Sequence, residues 1–142
     1  MTMAEAIYTA EATSSGGGRD GRVRTSDGII DQDLKMPPAL GGPGGATNPE
    51  QLFAAAYATC FHGALRMVAR SKGVKVSDDA TVDASVSLAP DDTSFGISAV
   101  ITAHLPGLDQ TQADELVEGA HQVCPYSKAT RGNVDVVLKA TV

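Results

Sequence analysis

Residues 48–73 read NPEQLFAAAYATCFHGALRMVARSKG and predict one long helix. Asn48 suits the N-cap, and Pro49 suits the first helical position. Gly73 is where such a helix should end. The run 52–65 carries no charge, and its apolar residues face nearly every direction. A helix that is apolar all round belongs in a core, so we expect the rest of the chain to pack around it.

Composition indicates one domain covering residues 1–142, which buries roughly two-thirds of the surface of the unfolded chain. Aromatic residues make up only 4% of the sequence and Trp is absent, so small aliphatic side chains must supply most of the core. A core this thin would gain from a second copy of the chain, which favours a symmetric homodimer.

The net charge of −6, without a basic run, disfavours binding to nucleic acid or to an anionic membrane surface. The N-terminus lacks a basic segment followed by an apolar one, so we expect no signal peptide. The uncharged stretch of the long helix is too short to span a bilayer. These features predict a cytoplasmic protein in a reducing compartment, where cysteines are more often reactive than structural.

Three short strands are expected before the long helix. Their alternating patterns and turn residues predict an antiparallel meander over Ile7–Ala12, Gly21–Ser26 and Ile29–Met36. A Pro/Gly-rich loop follows at 37–47, and it reads equally as a mobile lid or as a rigid connector.

A hairpin, a second helix and a last strand are expected after the long helix. The hairpin strands are predicted at Thr81–Leu88 and Phe95–Leu105, with one buried face. The helix begins near Asp109 and ends near Val123, and the strand covers Val134–Val142. The order βββ-α-ββ-α-β predicts an α+β domain in which antiparallel sheet surrounds a central helix.

Cys60 and Cys124 are the only cysteines. Cys60 lies in the middle of the apolar helix, where a small buried thiol with a raised pKa would be inert. The spacing alone supports a reactive Cys60 about as well as an inert one. Cys124 lies at a helix end before Pro125, where the backbone is free to move, and Arg19 follows a glycine-rich turn from which a guanidinium could reach a thiolate.

Three separated motifs resemble the organic hydroperoxide resistance proteins, a branch of the OsmC-like superfamily. The motifs read GGRDG at 17–21, NPEQLFAAAYATCF at 48–61 and HQVCPYSKATRGN at 121–133. The resemblance covers almost the whole chain, and the CPYS segment at 124–127 is more similar to this branch than to its OsmC sister branch.

The resemblance implies a thiol peroxidase with an OsmC-like, intertwined homodimeric fold and without metal or flavin. Cys60 matches the peroxidatic cysteine, which attacks the hydroperoxide and becomes a sulfenic acid. Cys124 matches the resolving cysteine that closes a disulfide. Arg19 matches the arginine that stabilises the thiolate, and Glu50 matches the carboxylate that holds this arginine. The implied reductant is a dithiol, dihydrolipoamide on a lipoylated protein.

The spacing of Glu50 and Cys60 bears on where the site is built. The two residues are ten positions apart, about 15 Å along one helix. One arginine is unsuited to bridging both on the same helix. Antiparallel packing of two copies would bring Glu50 of one chain near Cys60 of the other, so we predict shared sites with Arg19 and Glu50 supplied in trans.

An apolar pocket would suit a bulky hydroperoxide. Its walls could come from the Pro/Gly-rich loop at 37–47 and from Phe53, Tyr57, Phe61 and Met67, and each of these could equally be ordinary core.

Two other functions compete with the peroxidase interpretation. Cys60, His62, His121 and Cys124 could be ligands of zinc, but Cys60 and His62 point to different sides of one helix. The same cysteine pair could also signal oxidation in a redox sensor or a stress-induced binding protein. A phosphate-binding loop at 16–18 is rejected, because the required Gly-Lys-Ser/Thr ending is absent.

Overall fold

The structure, a computed structural model, describes residues 4–142. The chain divides into two compact units, one ending at Pro49 and the other running from Glu50 to Val142. Each unit is described by itself, and the single domain expected from the sequence stays a prediction.

The first unit contains an antiparallel meander, as predicted. Its strands are β1 (Ala12–Gly16), β2 (Gly21–Thr25) and β3 (Asp31–Asp33), with β2 in the centre. The predicted first strand at 7–12 was placed too early. The strand instead runs into the glycine-rich segment and pairs Gly16 with Gly21. A Cβ on Gly21 would lie 2.0 Å from the Ser15 carbonyl oxygen, so only glycine allows the two strands to approach this closely here.

β3 is shorter than predicted because the preceding turn takes up more of the chain. The Asp27 carboxylate accepts hydrogen bonds from the Ile29 amide at 3.0 Å and the Thr25 hydroxyl at 2.7 Å. The Thr25 amide also donates to the Ile30 carbonyl at 2.9 Å. Residues predicted as strand, Ile29 and Ile30, therefore belong to the turn.

The 37–47 loop is closed on itself by backbone hydrogen bonds. It contains a 3-10 turn at Pro38–Leu40, and Thr47 forms a parallel bridge with Leu34. The Lys35 amide donates to the Thr47 carbonyl at 3.1 Å, which joins the end of the loop to its start.

The second unit packs a long helix and two shorter ones with a three-stranded sheet. Its elements are α1 (Pro49–Ser71), β4 (Thr81–Pro90), β5 (Phe95–His104), α2 (Gln110–Val123), α3 (Pro125–Thr130) and β6 (Asp135–Thr141). The core joins α1, the middle strand and α2 through the fully or almost fully buried side chains of Tyr57, Phe61, Leu65, Ile101, Leu105 and Leu116. The α+β class with a long central helix is confirmed.

One strand pairing differs from the prediction. β4 and β5 form the expected antiparallel hairpin, but β6 pairs parallel with β5. The chain leaves β5, passes through α2 and α3, and returns in the same direction, which is how a helical crossover joins parallel strands. The sheet is therefore mixed, and the expectation of a purely antiparallel sheet was wrong.

α1 is 23 residues long, and by length and composition alone it could cross a membrane. The expectation that this helix is too short to span a bilayer holds for its uncharged stretch but not for its full length. A core helix passes the same test, and α1 contributes five buried residues to the core: Tyr57, Phe61, Ala64, Leu65 and Ala69.

Candidate active site

The two cysteines lie in contact. The Sγ atoms of Cys60 and Cys124 are 3.5 Å apart, and both thiols are free. Cys60 is half-buried near the middle of α1, whereas Cys124 is fully buried. Since a disulfide has an S–S length near 2.05 Å, closing the pair needs a movement of about 1.5 Å.

Cys124 is placed by the junction between α2 and α3. Its backbone is extended, with φ −62° and ψ 124°, and its amide donates to the Ala120 carbonyl at the end of α2. Pro125 follows at the first position of α3, where a missing N–H costs nothing. A residue before proline avoids the helical conformation, so the sequence itself separates α2 from α3 at the cysteine.

The surroundings of Cys60 act on its pKa in opposite directions. Burial raises the pKa of the Cys60 thiol, and this is the largest effect. A hydrogen bond from the Tyr126 backbone amide lowers the pKa, whereas the neighbouring Cys124 raises it further. A reactive thiolate at this position therefore needs additional stabilisation.

Three aromatic rings form a cluster on α1 and α3, the helices that flank the cysteine pair. Tyr57 is 6.1 Å from Phe53 and 6.1 Å from Tyr126 between ring centroids, and Phe53 is 6.5 Å from Tyr126. Among the side chains predicted to line a pocket, Tyr57 and Phe61 are fully buried in the core. Met67 is 51% exposed. Tyr126, which the sequence argument did not consider as a wall, is 40% exposed.

A buried set of hydroxyl groups connects α1 to α3. The Tyr57 hydroxyl lies 2.9 Å from Ser127 Oγ and 3.1 Å from Thr130 Oγ1. We call these three residues the hydroxyl cluster. Sequence reasoning missed it, although the pairing of Ser127 with Thr130 three residues later on a short helix is a signal that could have been read.

The other two predicted residues are placed as follows. Arg19 lies in the turn between β1 and β2 and is exposed within one chain. Glu50 is in the first turn of α1, where a carboxylate favours the helix dipole. Arg19 belongs to the first unit and Glu50 to the second, and their roles beside Cys60 stay predictions.

The two histidines considered as metal ligands have different surroundings. His62 Nε2 accepts a hydrogen bond from Arg66 Nε at 3.0 Å, and Arg66 also donates to the Ser77 carbonyl at 2.9 Å. His121 Nδ1 is buried without a hydrogen-bond partner within residues 4–142. In that part of the chain no group of three or more His, Cys, Asp or Glu residues could hold a metal ion.

Comparison with known proteins shows which family the chain resembles. A sequence model of the OsmC-like protein family matches residues 42–139. An organic hydroperoxide resistance protein of Xanthomonas axonopodis pv. citri is 49% identical over 133 residues, covering 93% of both chains. The chain belongs to the organic hydroperoxide resistance branch of the OsmC family. Another relative in this family is the organic hydroperoxide resistance protein OhrB of Bacillus subtilis, 46% identical over 94% of this chain and 98% of its own.

Solved structures of the family share the fold. A crystal structure of an organic hydroperoxide resistance protein from Legionella pneumophila has a TM-score of 0.92 and 49% identity, covering 97% of this chain and all of the other. The crystal structure of OhrB from Bacillus subtilis has a TM-score of 0.87 and 46% identity, covering 96% of this chain and all of its own. The OsmC-like fold expected from the motifs is confirmed.

Proposed function

We propose that the protein is a cysteine-based peroxidase that reduces organic hydroperoxides to alcohols. The observation that carries the proposal is the 3.5 Å contact between one half-buried and one fully buried thiol. The names of its relatives, organic hydroperoxide resistance proteins at 46–49% identity, agree with this substrate class.

The chemistry proceeds in two steps on the protein. The Cys60 thiolate attacks one oxygen of the O–O bond, and the other oxygen leaves as an alcohol after taking up a proton. Cys60 is now a sulfenic acid. The Cys124 thiol then attacks the oxidised sulfur, so that a disulfide forms and one water molecule leaves.

The first step needs a thiolate at a site where burial raises the pKa of Cys60. Arg19 supplies the compensating positive charge, because a guanidinium stays protonated and favours a neighbouring thiolate. Glu50 pairs with this arginine and holds it in place. No metal or flavin takes part.

The active site is shared between two copies of the chain. Only five of the 23 residues of α1 are buried within one chain. Its exposed residues include Ala55, Thr59 and Gly63, spaced four apart along one side. A Cβ on Gly63 would meet no other atom of the chain within 4 Å, which leaves room for a second helix to approach. Arg19 and Glu50 then reach Cys60 of the partner.

The disulfide is reduced by a dithiol, such as dihydrolipoamide on a lipoylated protein, in the cytoplasm. A dithiol suits this task, because its second thiol releases the mixed disulfide and leaves both protein thiols reduced.

Turnover separates this proposal from a redox sensor that uses the same cysteines. With cumene hydroperoxide in excess and dihydrolipoamide present, we expect many equivalents of hydroperoxide to be consumed per chain. Cys60→Ser should lower the rate by about a thousandfold or more, as expected for the loss of a nucleophile. One equivalent consumed without further turnover would instead support a sensor.

Intact mass gives the matching control for the two cysteines. After one equivalent of hydroperoxide, the wild-type chain should lose two hydrogens. Cys124→Ser should gain one oxygen atom instead, because its sulfenic acid has no partner. A wild-type sulfenic acid that never closes would remove Cys124 from its role.

A further inference from the structure

The hydroxyl cluster is the main inward contact of α3. This helix has six residues, and Ser127 and Thr130 are its buried ones. Both lie within hydrogen-bond distance of the Tyr57 hydroxyl, and Tyr57 is itself fully buried in α1. Hydrogen bonds are directional, so this contact fixes the position of α3 along α1 more tightly than apolar packing would.

The hydroxyl protons of the cluster can all be used at once. Thr130 Oγ1 donates to the Ser127 carbonyl at 3.1 Å, which leaves its lone pairs free to accept from Tyr57. The Tyr57 oxygen can then accept from the Ser127 hydroxyl. A fully satisfied buried network of this kind is rigid, and loss of one member leaves another unpaired in a site that water does not reach.

The cluster joins the same two segments as the cysteine pair. Tyr57 precedes Cys60 by three residues on one side of α1, and Ser127 follows Cys124 by three residues. From the far end of α3, the Arg131 guanidinium donates to the His121 carbonyl of α2 at 2.5 Å. Cys124, at the joint between these anchors, has little freedom to move away from Cys60.

We propose that Tyr57, Ser127 and Thr130 are positioning residues that hold Cys124 at attack distance from Cys60 and so favour disulfide closure over a second oxidation. This inference rests on the proposed peroxidase function. The competing step is attack of the Cys60 sulfenate on another hydroperoxide, which gives a sulfinate and a second alcohol. Each increase in the effective concentration of Cys124 reduces the share of this inactivating step.

Tyr57→Phe tests the proposal, because it removes one hydroxyl and keeps the ring. At increasing cumene hydroperoxide without reductant, intact mass separates the disulfide from the sulfinate, which carries two extra oxygen atoms. We expect the ratio of disulfide to sulfinate to fall about tenfold in the variant. A ratio equal to that of the wild type would overturn the proposal.

A second measurement needs no hydroperoxide. Equilibration with oxidised and reduced dithiothreitol gives the equilibrium constant for closing the Cys60–Cys124 disulfide, which we expect to fall about tenfold in Tyr57→Phe. A wild type that closes the disulfide here but consumes no hydroperoxide refutes the peroxidase function alone. An unchanged equilibrium constant refutes the positioning role alone.

Two further variants guard against a trivial result. Ser127→Ala removes the Ser127–Tyr57 contact from the other side and replaces Tyr57→Phe if that variant fails to fold. It should lower both the disulfide-to-sulfinate ratio and the equilibrium constant for disulfide closure. The double variant should fall no further than the worse single one, because the two changes break one interaction. Tyr8→Phe loses an exposed phenol elsewhere in the chain and should match the wild type.

Discussion

His121 combines burial with a neighbouring positive charge. Its Nδ1 atom is buried, and within residues 4–142 it has no hydrogen-bond partner. Burial is the largest cause that lowers the pKa of this imidazole, and the Arg131 guanidinium lowers it further. Burial followed by Arg66 lowers the pKa of His62 in the same way. The fold therefore favours the neutral form of both imidazoles.

We predict that acid destabilises the protein partly through His121. A histidine with a lowered pKa in the folded state binds its proton more readily when unfolded, so its contribution to stability is lost as the pH falls below the unfolded value of about 6.5. Urea unfolding between pH 8 and pH 5 should show a falling free energy of unfolding. His121→Gln should reduce the slope of this fall.

The comparison above pH 7.5 serves as the control. In that range His121 is neutral in both the folded and the unfolded state. The free energies of unfolding of the wild type and of His121→Gln should therefore differ by a constant amount. Equal slopes in the acid range would show that His121 does not carry the effect.

At the scale of elements, α2 has a complete N-terminal capping box. The Asp109 carboxylate accepts from the Gln112 amide at 2.8 Å, and the Gln112 side chain accepts from the Asp109 amide at 3.3 Å. Two of the amides that a helix start leaves unpaired are thereby satisfied.

Asp109→Ala should cost about 1 kcal/mol of stability through loss of this cap. For a chain of this length, the change corresponds to a fall of about 3 °C in Tm. Asp92→Ala removes the same charge from the exposed turn between β4 and β5 and should leave Tm nearly unchanged. Equal effects of the two substitutions in calorimetry would point to net charge rather than capping.

Periodic elements were predictable from sequence, and elements set by tertiary pairing were not. α1, α2 and the β4–β5 hairpin carry long patterns of apolar residues, so their positions followed from local sequence. β1 depends on the close approach at Gly21, which no local pattern records. α3 was not predicted, although Pro125, the second residue after the expected end of α2, suits the first position of a further helix.

The candidate site was predictable to a similar degree. From its spacing alone, Cys60 could equally be an inert core residue or a reactive thiol. The pairing of Cys60 with Cys124 was predicted from the resemblance of the motifs. The spacing of Ser127 and Thr130 was a readable local signal, but their partner Tyr57 could not be anticipated, because it lies 70 and 73 positions earlier in the chain. The direction of β6 depends on the crossover, and residue patterns do not distinguish parallel from antiparallel pairing at an edge.

If two chains share each active site, dimers that combine two inactive variants should recover peroxidase activity. Cys60→Ser and Glu50→Ala should each be nearly inactive alone. In a co-expressed mixture, the Cys60 of one chain would meet the intact Glu50 of the other. Half of randomly paired dimers are mixed, with one complete site each, so peroxidase activity should recover to about a quarter of the wild type.

The two cysteine variants provide the matched control. Cys60 and Cys124 meet within one chain, so a mixture of Cys60→Ser with Cys124→Ser contains no complete pair and should not recover turnover. If neither mixture recovers activity, the sites are not shared between chains.

The unequal exposure of the two cysteines would give the proposed catalytic cycle a direction. Cys124 is fully buried and Cys60 only half so. An incoming thiolate must approach a disulfide along the line of its two sulfurs, and of the two cysteines Cys60 is the one with solvent-exposed surface. In the proposed cycle, the reducing thiol would therefore form a mixed disulfide with Cys60, the residue that reacts with the hydroperoxide, and Cys124 would depart as the leaving group. The hydroperoxide and the reducing thiol would both approach Cys60, one after the other. A bulky adduct on Cys60 would therefore block both reactions.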